Sequence, residues 1–193
     1  MNEGVISVVG RSRAMNPVEP SKVYRLLYPA VPAIITCSDR GMIYAMPVVS
    51  MISLSNNPPL IGISSSPKHA THEAIASVRR FALSWVDASL VRSLEVLGTT
   101  PHSPFDKLQS AGLKHTRGQS LDMPIVEGAV ASLECSLYAR QTLGDHELLV
   151  GKVHNAMASD DFQEYWRFQS YSPVLYAGIQ DGSFRTYQQR SGA

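Results

Sequence analysis

Residues 130–141, Val-Ala-Ser-Leu-Glu-Cys-Ser-Leu-Tyr-Ala-Arg-Gln, alternate small or apolar side chains with polar ones along their whole length. Ala131, Leu133, Cys135, Leu137 and Ala139 fall on one side of an extended chain; Ser132, Glu134, Ser136, Tyr138 and Arg140 fall on the other. Successive side chains of a strand point to opposite faces, so this period of two predicts a long strand with one face on a core. Gly144-Asp145 turns the chain, and residues 147–154 return as the hairpin partner.

The flanking sequence repeats the signature in shorter pieces. Residues 31–38 and 42–49, on either side of Asp39-Arg40-Gly41, read as two strands joined by a turn. Pro47 has no N–H to donate, so its strand belongs at a sheet edge or a bulge. Residues 51–54, 60–64 and 81–86 read as strands, and residues 174–179 and 183–187 as a last hairpin about Asp181-Gly182. Helices are few. Ser21 is placed to cap residues 22–28, Thr71 to cap residues 72–78, and Asp87 to cap a helix through Leu97 that Gly98 closes. Residues 160–168 read as one more helix, and residues 99–124, with Pro101, Pro104, Gly112, Gly118 and Pro124, as loop. Many short strands joined mostly by turns predict a mainly β fold, an antiparallel barrel of Greek-key type rather than a parallel α/β sheet. Residues 1–20 read as an N-terminal arm and residues 21–193 as one domain.

At 193 residues the chain can bury a real core. A net charge of +1 offers no broad field for nucleic acid or a membrane surface. Charged residues are 17%, below the roughly 25% of an average chain, so the surface is rich in hydroxyls and amides or is covered by a second subunit. Cys37 and Cys135 lie far apart, without ligand spacing, and read as buried small apolar side chains; no zinc site is expected. No apolar run approaches the roughly 18 residues of a membrane span, and the start lacks the pattern of a secretory signal. The expected location is cytoplasmic.

The chemistry concentrates in Ser64-Ser65-Ser66-Pro67-Lys68-His69-Ala70-Thr71-His72-Glu73-Ala74-Ile75. Three hydroxyls and a lysine precede a helix start, where unpaired N–H groups and about half a positive charge attract an anion. These parts suit a phosphate monoester; they also suit an ordinary polar loop with a capped helix. His69-x-x-His72 has metal-like spacing but no third ligand, so both are expected to be surface histidines. His146, beside Asp145 at a hairpin turn, is either solvated or a proton donor or nicotinamide contact at a pocket rim. No GxGxxG, GxxxxGK[ST] or GxSxG motif occurs. Trp85 and Trp166 read as core or interface residues rather than base-stacking platforms.

Taken in order, these pieces resemble the flavin reductase-like family, the FMN-binding split barrels that include flavoredoxins. The match runs through Met46–Ser50, Ser55–Leu60, Ser64–Ile75, Leu133-Glu134-Cys135, Gly144-Asp145-His146, Gly151-Lys152-Val153 and Pro173–Tyr176, and covers residues 21–180 or so. The resemblance implies a homodimer with FMN at the subunit interface. It implies that the backbone of Met46, Pro47, Val48, Val49 and Ser50 faces the isoalloxazine. Ser64, Ser65, Ser66, Lys68, His69, Ala70 and Thr71 would take the phosphate. Family members often carry asparagine, threonine and serine where this chain has Tyr44, Pro47 and Val49, which leaves flavin contacts to backbone groups. The implied activity is hydride transfer from NADH or NADPH to FMN, with FAD or riboflavin as other flavin substrates and His146 in a catalytic role. The alternative is a flavoredoxin-type carrier that exchanges electrons with a partner protein, and a third reading is an FMN-binding protein without redox duty.

Overall fold

A computed structural model of the chain describes residues 14–100 and 106–186. Most of the expected arm, the prolines at 101 and 104 and the residues from 187 onward lie outside the described residues. Seven strands form one antiparallel sheet: β1 (Ala33–Asp39), β2 (Met42–Val48), β3 (Met51–Asn56), β4 (Pro59–Ser65), β5 (Arg80–Trp85), β8 (Ala131–Leu143) and β9 (His146–Ala158). Between them in sequence lie the short pair β6 (His115–Arg117) and β7 (Pro124–Val126), and after them the pair β10 (Tyr176–Gln180) and β11 (Ser183–Thr186). The helices are α1 (Ala70–Val78), α2 (Val91–Thr99) and α3 (Lys107–Ser110), with 3₁₀ turns over Pro20–Leu27 and Ala88–Leu90.

The sheet order is β2-β1-β5-β8-β9-β4-β3. The β8–β9 hairpin thus inserts between β4 and β5, in the Greek-key manner. β2 and β3 are the two edges, yet only Val49 and Ser50 separate them in sequence. The three Cα steps from Val48 to Met51 span at most about 11 Å, so the sheet must curl until its edges come close. No ladder joins those edges, which makes the fold a split barrel. Pro47 lies on the β2 edge, where its missing N–H costs least.

Two cores result. Inside the curl, Ile35, Cys37, Phe81, Leu83, Cys135 and Leu149 pack with Ala74 and Ile75 of α1. Against the outer face of β1 and β2, Ile34 and Ala45 pack with Leu94, Leu97, Leu108 and Val126. Both cysteines are buried, and burial pushes each thiol up to about 12.

The outer cover changes the reading of the central strand. Ser132 and Glu134, expected on a solvated face, are buried, and Leu133 is only half-buried. Register shifts at Glu134/Cys135 and Leu137/Ala139 break the strict alternation. The segment around β7 covers the outer face through backbone partners: Thr36 Oγ1 donates to the Pro124 carbonyl, and the Val126 amide donates to Ser84 Oγ.

Several helix boundaries also move. Pro20 opens the first 3₁₀ turn with Glu19 at its N-cap, in place of a Ser21 cap. Asp87 caps the short turn Ala88–Leu90, and α2 runs past Gly98 to Thr99. Residues 160–168 form no helix. Instead Asp161 accepts from the amides of Gln169 and Ser170, and Trp166 packs with Phe162, Phe168 and Tyr171.

Candidate functional site

The polar loop lies where the barrel's two edges come together. The Ser64 amide donates to the Ser50 carbonyl at 3.0 Å, and Ser50 Oγ donates back to the Ser64 carbonyl at 2.7 Å. This pair pins the Val49–Ser50 link to the end of β4, directly before the loop that leads into α1. The hydroxyl-rich segment is thereby held beside the last residues of β2.

A groove of about 360 Å³ opens at this junction. Its floor is β2, from Ile43 to Pro47, with Val49 beyond. One end is Lys68, His69, Ala70 and Thr71. The far wall is the end of α2 (Leu97, Gly98, Thr100) with Lys107, and Tyr176, Ile179 and Phe184 of the β10–β11 hairpin close over it. Two lysines and a histidine line the groove, and among the described lining residues there is no carboxylate. An apolar floor with one cationic end suits a flat, apolar ligand that ends in an anion.

Of the residues read from sequence, Met46, Pro47, Val49, Lys68, His69, Ala70 and Thr71 are brought together here. Val48 instead packs into the inner core, and Ser50 is an exposed residue of the edge link. Ser64 serves that same link through its backbone, and Ser66 Oγ accepts from the Lys68 amide at 3.4 Å, which shapes the loop. Thr71 does not cap the helix: α1 begins at Ala70, with His69 at the N-cap and no side-chain cap bond. The first-turn N–H groups are therefore not consumed by a capping side chain.

His72 departs furthest from expectation. It is 1% exposed rather than on the surface, and its Nε2 lies 3.1 Å from Glu147 Oε2. Arg140 grips the same oxygen through Nε at 2.8 Å and Nη2 at 2.5 Å. The Arg140 contact, opposed by burial and helped by His72, holds the Glu147 carboxyl below its usual range. The carboxylate ties α1 and β8 to β9, and Glu147 stands opposite Ser65 in the β4–β9 ladder. Two buried atoms of this knot have no partner: Ser65 Oγ and His72 Nδ1. Buried polar atoms are nearly always paired in folded proteins, so spare capacity beside the loop fits a ligand with acceptor and donor groups of its own.

His146 begins β9 at the hairpin turn, half-exposed, with Nδ1 2.8 Å from Asp145 Oδ1. It is not among the groove's lining residues, but it stands close by. Partial burial first, then the charges of His146, His72 and Lys107, hold the His69 imidazole below its usual pKa. Asp145 is held down by its bond to His146 and, more weakly, by Lys68. The turn therefore lies near the Lys68 and His69 side chains.

Gly98, expected as a helix stop, has a packing role. A Cβ there would meet the Phe184 ring at 2.7 Å and Pro47 Cγ at 3.3 Å. The bare backbone lets β11 lie across α2 and β2, and Glu95 Oε1 holds it there by accepting the Phe184 amide at 3.0 Å. Among the described residues, no group of three or more His, Cys, Asp or Glu side chains is arranged to hold a metal, and no helix is long and apolar enough to cross a membrane.

Comparison with known proteins gives concordant findings. A family model described as the flavin reductase like domain matches residues 24–183. The FMN-binding protein from Thermus thermophilus, solved with bound 1-cyclohex-2-enone, superposes with a TM-score of 0.76 at 30% identity, covering 95% of this chain and 98% of that one. An NADH-dependent flavin reductase from a Rhodococcus species is 28% identical over 79% of this chain and 74% of its own length. An uncharacterized protein of Aeropyrum pernix is 28% identical over 80% of this chain, which spans 59% of that relative's length.

Proposed function

This chain belongs to the flavin reductase-like family, and from that membership we propose that it binds FMN in the β2 groove and receives hydride there from NADH or NADPH. One observation carries the reading: an apolar floor runs into an end made of a helix N-terminus, Lys68 and His69, with no carboxylate among the described lining residues. A phosphate monoester is the anion that such an end suits. Met46, Pro47 and Val49 would lie along the flavin ring, and the loop from Ser64 to Thr71 would hold the phosphate. The unpaired Ser65 Oγ supplies a donor of the kind a phosphate oxygen accepts.

Bound flavin supplies the hydride-accepting chemistry. The chain's own part is orientation and shelter. β2 would give a rigid edge, Tyr176 and Phe184 would exclude water from one side, and His146, at the nearby turn, would donate a hydrogen bond to a second nucleotide. FAD or riboflavin would be alternative flavins for the same groove. We also propose a homodimer: the β3 edge exposes Ile52 (60%) and Leu54 (43%), an apolar strip that a second copy would cover. Light scattering reporting a flavin-loaded monomer at micromolar concentration would remove the dimer.

The decisive experiment is flavin binding by the purified protein, read from its visible spectrum and from titration with FMN and riboflavin. A charge-assisted phosphate contact is worth about 1.5–3 kcal/mol, or roughly tenfold or more in affinity. Lys68→Ala should remove that margin for FMN and leave riboflavin nearly unchanged. Equal losses for both would take Lys68 out of the phosphate site. Absence of NADH and NADPH oxidation with added flavin would favour the electron-carrier role with a protein partner.

A further inference from the structure

Lys107, the first residue of α3, lines the groove although it is 36 residues beyond the polar loop's last member (107 − 71). It is half-buried, and burial lowers its pKa. A lysine withdrawn from water is ordinarily paired with a carboxylate. Among the described residues none pairs with it. Its neighbour Asp106 uses Oδ1 to accept the amides of Leu108 and Gln109, as the cap of α3. Lys107 lines the same groove as Lys68 and His69, and its charge is among those that lower the His69 pKa.

Charge matching gives this second cation a role. A phosphate monoester carries about −1.5 to −2 at pH 7. Lys68 supplies one positive charge and a helix N-terminus about half of one. Against a full dianion that leaves up to about half a charge uncompensated in a partly dry groove, which a second lysine more than covers. We propose that Lys107 is a specificity-determining residue of the flavin site: with Lys68 it matches both charges of a phosphate monoester, and so selects phosphorylated from unphosphorylated flavin. The inference rests on the FMN reading and adds to it a residue from a separate element.

The test is the dissociation constant of FMN and of riboflavin, by flavin fluorescence quenching, for wild type, Lys107→Met, Lys107→Arg and Lys68→Ala. Methionine keeps the length of the apolar stem, and far-UV circular dichroism checks the fold. Lys107→Met should weaken FMN by about tenfold with riboflavin changed by less than about twofold, and arginine should restore most of the loss. The loss should shrink as salt is raised, because the contribution is electrostatic. If Lys68→Ala abolishes the FMN preference while Lys107→Met keeps it, this inference fails and the FMN reading stands. Equal weakening of both flavins would assign Lys107 to the ring or the groove wall, and also overturns it. Should wild type bind neither flavin, the reading and the inference fall together.

Discussion

The β8–β9 ribbon carries a buried or half-buried glutamate near each end, and the two are treated differently. Glu134 accepts from the amides of Ser120 and Leu121 and from Asn155 Nδ2, at 2.7–3.1 Å, and none of these three partners is among the unpaired buried atoms. Glu147, at the turn end, is equally well held by Arg140 and His72, but Ser65 Oγ opposite it and His72 Nδ1 stay buried and unpaired. The first arrangement is complete in itself and fastens a loop. The second is complete only toward the scaffold, and its two unpaired atoms lie on β4 and α1, which flank the polar loop. On the proposed reading, the unpaired atoms beside Glu147 are capacity for the ligand, and the closed set of partners around Glu134 is structural.

The sharpest challenge to this contrast is Glu134→Ala. It leaves two loop amides without partners and should cost about 3 kcal/mol in denaturant unfolding, with little change in flavin affinity once folded. Burial pushes the Glu134 carboxyl up, but the Leu121 and Ser120 amides and Asn155 outweigh it and hold it below its usual range. Its contribution is thus present above the unfolded-state pKa and is lost as pH falls through the folded one. Glu134→Gln should flatten the acid side of the stability profile; an unchanged profile would deny Glu134 its structural role.

At the turn end the largest effect is expected on rate. His146→Ala should slow reduction of the FMN-loaded protein by about 10²-fold in stopped flow, at nearly constant FMN affinity. An unchanged rate would return His146 to the solvated surface. Glu147→Ala should be milder for folding than Glu134→Ala, because its partner Arg140 can reach water. It should also weaken FMN binding, since it frees α1 from the ribbon. A larger folding loss than at Glu134 would erase the distinction between the two ends. Ser65→Ala carries the smallest effect and a diagnostic pair of signs. Removing an unpaired buried hydroxyl should raise stability of the ligand-free protein, by up to about 1 kcal/mol, and lower FMN affinity. Loss of both would mean that Ser65 is already satisfied.

What was legible in the sequence follows the range of the forces involved. Strands declare themselves through nearest-neighbour alternation, so residues 130–141 and their return strand were readable, as was the edge position of Pro47. The polar loop before α1 stands out because its hydroxyls, lysine and helix start are contiguous. Contacts made only by folding were not. Gly98 looks like a helix stop until Phe184 is laid against it. His72 looks like a surface residue until Glu147, 75 positions away, reaches it. Lys107 belongs to a stretch with no motif, and only the packing of α3 against β2 brings it to the groove. Residues 160–168 failed for a related reason: local composition allowed a helix, but Asp161 spends its oxygens on the chain ahead of it.

The two residues between β2 and β3 have a mechanical consequence. The seven strands make a band that is hydrogen-bonded everywhere except at one seam, and Val49–Ser50 is the clasp across it. A protease nick at this exposed serine would leave every ladder pair of the sheet intact. It would nevertheless release the strand that floors the groove from the loop at its end. A nicked molecule should keep its core and its melting behaviour while losing its grip on ligand, so the wound would be felt at the pocket long before it was felt by the fold.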